Sequence, residues 1–337
     1  MFGSDHLNYC GAHVFQTGST YHPWVRTLAG LGPAPPVNPR GQKFVLLHPG
    51  YSTRHIAREL RSAGVIRSAP AFLLWHYVAR PHSLKAGEYL FENSENALKV
   101  HRRLARGDIY AHTLIIPEGF NIFDIAQAVE NAGLGSRQDF LRAANLDKTL
   151  ISDLDSSARS VEGYLFPDTY QFTRTQSMQD MVEIMIHHFR QQARRLNLTD
   201  NVHNVVTLAS IVEKETAVPS ERQLIASVYS NRLQKGIALD ADPSVIYAAL
   251  LAGTYQGALH HEDLQLNSPY NTYKFRGLPP GPIANPGLES LKAVMHPATS
   301  NFFYFVSDGS GHHRFANSLE EHNHNVAMLR RAISAGH

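Results

Sequence analysis

Leu208-Ala209-Ser210-Ile211-Val212-Glu213-Lys214-Glu215-Thr216 is the stretch on which the reading of this chain turns. At about 100° per residue, a helix here places Val205, Leu208, Ile211 and Val212 on one side and Glu215 in the middle of that apolar face. Glu213 points the other way, into water beside Lys214. A carboxylate carried inward must be paired, neutralised or used, because an unpaired buried charge is too costly to keep. Two readings of Glu215 stay open at this point. In one it is half of a buried ion pair with Arg222 or Arg232. In the other its pKa is raised, so that it is protonated near neutral pH and ready to give a proton to a leaving group.

The rest of the chain can build the core that either reading needs. With 337 residues, 43% of them hydrophobic, it holds two domains or one large domain with a small appendage. The charges nearly cancel, at +2 with histidines neutral, so no strongly basic footprint points to nucleic acid. A single cysteine, Cys10, rules out an intrachain disulfide and lies in a segment without periodic structure. The longest apolar run, Phe72 to Ala79, is broken by His76 and is too short to cross a bilayer; neither a transmembrane helix nor a signal peptide is visible. Twenty histidines raise the question of metal. None shows His-Glu-x-x-His spacing, and His322 and His324 fall beside the exposed end of a helix, so no metal or other cofactor is expected.

Working outward, residues 1–42 lack a sustained period and read as a poorly ordered leader or linker. Organisation starts at Lys43 with the strand Phe44-Val45-Leu46-Leu47, the turn His48-Pro49-Gly50 and a short helix marked by Ile56, Ala57, Leu60 and Gly64. The phrase returns as Leu114-Ile115-Ile116, Pro117-Glu118-Gly119 and Ile125, Ala126, Val129, Gly133. Gly50 and Gly119, Ile56 and Ile125, Ala57 and Ala126, and Gly64 and Gly133 are all 69 residues apart, which suggests a repeated strand-turn-helix unit. Between the copies Leu84 to Phe91 reads as a strand and Ala97 to Leu104 as a helix stopped by Gly107.

Further on, helices are expected from Ser136 to Ala144, Met178 to Leu196 and Asn204 to Thr216, with an aromatic segment over Val161 to Phe172 in which Pro167-Asp168 makes a turn. Those aromatics suit either a core or sugar-ring platforms. A helix opened by Pro219-Ser220-Glu221 ends at Gly236, and another starts with Asp242 as N-cap and Pro243 at the first helical position. Residues Asn267 to Gly287 are rich in Pro and Gly and read as a rigid loop lining a site. Phe302 to Val306 and His313 to Ala316 form a hairpin, and Ser318 with Glu321 forms a capping box on the last helix.

In this order, Pro117-Glu118-Gly119, Glu162-Gly163-Tyr164-Leu165-Phe166-Pro167-Asp168-Thr169-Tyr170, Ala209-Ser210-Ile211-Val212-Glu213-Lys214-Glu215, Asp242-Pro243-Ser244-Val245-Ile246-Tyr247, Tyr270-Asn271-Thr272-Tyr273, Gly277-Leu278-Pro279-Pro280-Gly281-Pro282-Ile283 and Tyr304-Phe305-Val306 form a specific set. From about Lys43 to its last helix the chain resembles the YceG-like endolytic murein transglycosylases. The resemblance implies an α+β fold: a small LysM-like β/α module at 43–110, then a mostly helical catalytic domain with a short antiparallel sheet at 111–337. It implies cleavage of peptidoglycan glycan strands between N-acetylmuramic acid and N-acetylglucosamine without water, leaving a 1,6-anhydro end. Glu215, the second glutamate of the Glu-Lys-Glu triplet, would be the catalytic acid. It also implies a place in the cell envelope outside the cytoplasmic membrane, near the enzymes of wall synthesis. Family members carry an N-terminal transmembrane helix, which residues 1–42 do not supply.

Such a reaction can run on one carboxyl group, because the sugar's own C6 hydroxyl is the nucleophile. Glu215 would protonate the glycosidic oxygen and then take the hydroxyl's proton. Asn271, Thr272 and Tyr273 from the Pro/Gly-rich loop, with Asn231 and Asp242, are the candidates for orienting the sugar. The rivals are a hydrolase pairing Glu215 with Asp242 or Glu221, and a glycan-binding scaffold without activity.

Overall fold

The computed structural model describes residues 42–78, 83–146 and 148–335. Cys10 and the leader expected over 1–42 thus lie outside the described residues, save for residue 42. The described chain is α+β, with many helices and three two-stranded antiparallel sheets.

The first unit pairs β1 (Lys43–Leu47) with β2 (Gly87–Phe91), Lys43 opposite Phe91 and Leu47 opposite Gly87. Helices α1 (Thr53–Ser62) and α2 (Ala69–Val78) connect the strands, and α3 (Ala97–Arg106) follows. Leu47, Ile56, Leu60, Phe72, Tyr89, Phe91, Val100 and Leu104 fill its core. Ser52 and Asn96 cap α1 and α3 by accepting the N–H of His55 and Lys99, each answering an orphan donor of a first turn. The apolar run from Phe72, taken in sequence only as too short for a bilayer, winds into α2.

The repeated phrase is real as local geometry. The helix α4 (Ile122–Asn131) begins and ends 69 residues after α1, and its cap, Asn121, stands 69 after Ser52. Gly50 and Gly119 share a left-handed backbone, with φ of 83° and 77°, which side-chain-bearing residues resist. Pairing differs between the copies, since β3 (His112–Ile115) finds β4 (Thr169–Phe172). Within the aromatic segment 161–172 only β4 is a strand, while Val161 to Tyr164 closes a turn with the Tyr164 N–H on the Val161 carbonyl and φ +89° at Gly163. With α5 (Arg137–Leu146) and α6 (Met178–Arg195), these elements enclose a large core holding Phe140, Tyr164, Phe172, Met185 and Phe189.

At the centre runs α7 (Val202–Glu215), in which every residue from Val206 to Val212 is buried. Val202, Val206 and Ala209 enter the large core, while Leu208, Ile211 and Val212 enter a second one with Ile225, Val228, Tyr229, Tyr247 and Phe305. The single apolar face expected here is therefore two, and Val205 packs with the first rather than beside Leu208. A 3-10 turn at Pro219–Glu221 leads into α8 (Arg222–Lys235), which Gly236 ends, and α9 (Asp242–Ala252) and α10 (Leu288–Met295) follow. The hairpin of β5 (Tyr304–Ser307) and β6 (His313–Ala316) precedes α11 (Leu319–Ala335). The Ser318 hydroxyl accepts the Glu321 N–H, but the Glu321 carboxylate reaches back to the N–H of Asn317 instead of Ser318. His322 is not at an exposed edge: it is buried and stacks on Tyr304.

Glu88 of β2 joins the two halves, accepting from Arg174 at 2.8 Å and bonding His112 at 2.6 Å. Among the described residues no helix is long and apolar enough to cross a membrane.

Candidate active site

The last residue of α7 is Glu215, 5% exposed and set against the second core. Neither arginine considered for it is its partner. Arg232 bonds Asp240 at 3.0 Å and three main-chain carbonyls, and Arg222 reaches Glu213 at 3.4 Å. What Glu215 does meet is the Tyr229 hydroxyl, which donates to Oε1 at 2.6 Å.

Burial pushes its pKa from 4.5 up to about 8; the Tyr229 hydrogen bond pulls down and the charge of Asp242 adds to the rise. A helix C-terminus, with its partial negative charge, also disfavours a carboxylate. Because Tyr229 donates to Oε1, that oxygen is held as the acceptor, and the acid proton belongs on Oε2. Among the described residues the bond from Tyr229 is the one hydrogen bond on the Glu215 side chain, so none engages Oε2.

Glu213 corrects the sequence reading. Its side chain is only 6% exposed and accepts the N–H of Gly287 at 2.9 Å as well as facing Arg222. The reason is the loop ending at Gly287, which covers the side of α7 expected to face water. Ser210 accepts the Ile283 N–H at 3.0 Å, and Gly163 lies so close to Pro282 that an added Cβ would stand 2.5 Å from its Cγ. Asn285, fully buried, ties Phe120, Glu162 and Leu165 together. The Pro/Gly-rich segment is thus rigid because named bonds fix it.

Asp242 does not cap α9; Ala241 holds that position and Asp242 is the first helical residue. The Tyr273 hydroxyl donates to Asp242 Oδ1 at 2.5 Å, and burial followed by the Asp242 charge drives the Tyr273 pKa far up. Glu215, Tyr229, Asp242 and Tyr273 form one electrostatic group.

Asn271 is buried, donating to the carbonyls of Leu264 and Leu266 and accepting from the Tyr273 N–H. Thr272 accepts the Ala241 N–H and meets Ser244 at 2.8 Å. Asn231 donates to the carbonyls of Ser300 and Phe302. Glu221 is held by His312 and His313, whose bonds overcome the effect of burial and lower its pKa.

Sequence reasoning passed over Tyr229, which looks like one more core aromatic of α8. It also passed over Glu162, which is buried and accepts from the Ile122 N–H, the Tyr247 hydroxyl and the Asn285 amide, each at 3.0 Å. Burial pushes Glu162 up to about 8 despite these bonds. With every side of it engaged, Glu162 is a strut, whereas Glu215 keeps an oxygen available.

A family model described as the YceG-like family matches residues 45–328. The chain is 32% identical over 297 residues to a Bacillus subtilis (strain 168) protein named endolytic murein transglycosylase, covering 81% of each. A protein of the same name from Streptococcus pneumoniae serotype 2 (strain D39) is 30% identical over 331 residues, covering 87% of this chain and 59% of that protein. A solved structure of a putative yceG-like protein from Listeria monocytogenes is 31% identical with a TM-score of 0.55, covering 85% of this chain and 99% of the other.

Proposed function

Since the chain belongs to the YceG-like family, we propose that it is a murein lytic transglycosylase with Glu215 as its acid and base. The Oε2 proton passes to the glycosidic oxygen as the bond from the muramic C1 breaks. Glu215, now a carboxylate, takes the proton of the same sugar's C6 hydroxyl while that oxygen bonds to C1. The products are a free GlcNAc-side hydroxyl and a 1,6-anhydro-muramic end; no water is consumed and Glu215 is again an acid. The observation that carries this reading is the burial of Glu215 at the end of α7, with a tyrosine hydroxyl and, among the described residues, no cation on its carboxyl group.

Two features favour one carboxyl over two. Glu221 is engaged by both histidines of the hairpin, and Asp242 by Tyr273. Asp242 then serves the reaction through its charge, holding Glu215 protonated and favouring the oxocarbenium-like transition state. Tyr273 presents Asp242. Asn271, Thr272 and Asn231 position the loops around the sugar through the bonds described above.

The order β1-α1-α2-β2 supports a LysM-like module over 43–110, with the catalytic domain over 111–337. By kinship with murein enzymes the place of action is the cell envelope, on the outer side of the cytoplasmic membrane, beside enzymes of wall synthesis. Digestion of purified peptidoglycan, read by mass spectrometry, tests the chemistry. The expected products are anhydro-ended and vanish with Glu215→Gln. Products heavier by one water mark a hydrolase, and an inert wild type that still binds glycan marks a scaffold.

A further inference from the structure

The first unit presents a surface that its own fold does not use. Along α2, Leu74, Tyr77 and Val78 are 67%, 65% and 66% exposed. Their spacing of three and four puts them on one helical face. The opposite face, with Phe72 and His76, fills the core, so α2 is apolar on both sides. A soluble helix does not need a second apolar face, and singly exposed residues would call for no account, but three within two turns do.

Charge surrounds this face. Residues 43–110 carry eleven Lys and Arg against five Asp and Glu, a balance of +6, while residues 111–337 carry eighteen against twenty-three, or −5. The near neutrality of the whole chain conceals this division. A cleft of about 640 Å³ has Trp75 of α2 on one side and Arg102 and Arg106 of α3 on the other, so the apolar helix and the exposed cations adjoin. Arg106 is paired with Asp108 at 2.7 Å, which the balance already counts. The indole Nε1 of Trp75 is buried without a hydrogen bond among the described residues.

We propose that the α2–α3 face of this unit docks on an anionic lipid surface, with Leu74, Tyr77 and Val78 entering the headgroup boundary and Arg102 and Arg106 meeting lipid phosphates. Apolar side chains at helical spacing, an amphipathic aromatic and adjoining cations are the features that a bilayer interface rewards together. A polyanionic glycan would reward only the cations. Docking would hold the neighbouring catalytic half, of opposite charge, off the lipid and facing the wall. The proposal does not depend on the chemistry of Glu215.

The test is co-sedimentation of the full chain with phosphatidylcholine vesicles, with and without phosphatidylglycerol. Binding is expected only with the anionic lipid, and to weaken as salt rises from 0.1 to about 0.5 M by screening. The triple change Leu74→Ser, Tyr77→Ser, Val78→Ser should reduce the partition coefficient about tenfold or more. Independently, Arg102→Ala should reduce it about fivefold, the share of one cation at such a surface. All four positions are exposed, so folding and cleavage of soluble glycan should be unchanged. No binding to either vesicle, equal binding to both, or full binding by the triple variant would overturn the proposal. So would loss of binding to insoluble peptidoglycan without loss of binding to vesicles, which would make this face a glycan site.

Discussion

Tyr229 of α8 and Glu215 at the end of α7 are joined by a 2.6 Å hydrogen bond in which the phenol donates and Oε1 accepts. The bond fixes the carboxyl plane, leaves the proton to Oε2 and supports the carboxylate once that proton has gone. Tyr229→Phe keeps the ring and its edge contact with Phe305 but removes the donor. Activity is expected to fall about tenfold to a hundredfold. Because the hydroxyl lowers the Glu215 pKa, its removal should move the alkaline limb of the rate profile to higher pH. A drop in rate with an unmoved limb would assign Tyr229 to packing alone.

The wild-type profile follows from the same residue. Cleavage needs Glu215 protonated, so activity should decline as pH rises through about 8. Stability carries the same sign. With the folded pKa near 8 and the ordinary value at 4.5, the native state binds more protons between those limits, so Glu215 costs stability progressively as pH rises across that window. Replacing it by Gln removes the cost. Denaturant unfolding should therefore find Glu215→Gln more stable than wild type at pH 8 by about 1–3 kcal/mol, and the difference should shrink towards pH 5.

Gly163 is left-handed and pressed against Pro282 and Val206. Gly163→Ala adds both backbone strain and a clash with the loop that covers α7. A loss of about 2 kcal/mol or more is expected by chemical unfolding, with reduced cleavage and an unchanged pH limit. Unaltered stability would mean that the loop is free to move.

At the junction of the halves, Glu88→Gln gives up the charge that Arg174 and His112 share. About 2 kcal/mol should be lost. The loss should appear in the thermal midpoint, with cleavage of soluble glycan retained, since Glu88 belongs to no part of the Glu215 group.

What the sequence disclosed follows what local rules can reach. Period and capping located most helices but passed over α2 and α10, and the 69-residue spacing foresaw the glycine turns that α1 and α4 share, though not their matching cap positions. Glu215 was found because one apolar stripe sufficed to carry it inward. Glu213 was misread for a related reason: a stripe reports one packing surface, while α7 has cores on both sides and a loop more than 60 residues later laid over it. The partners of Arg222 and Arg232, the role of Tyr229 and the engagement of Glu162 depend on which helices meet, and periodicity within a single helix holds no record of that. Asp242 looked like a cap because Asp-Pro favours one, whereas Tyr273, 31 residues away, draws its carboxylate aside.

Carbon-detected NMR or difference infrared titration of the Glu215 carboxyl, identified by subtracting Glu215→Gln, tests the central claim most directly. The expected result is a neutral carboxyl at pH 6 that ionises near pH 8. A group already ionised at pH 6, titrating in the usual range near 4 to 5, would contradict the account.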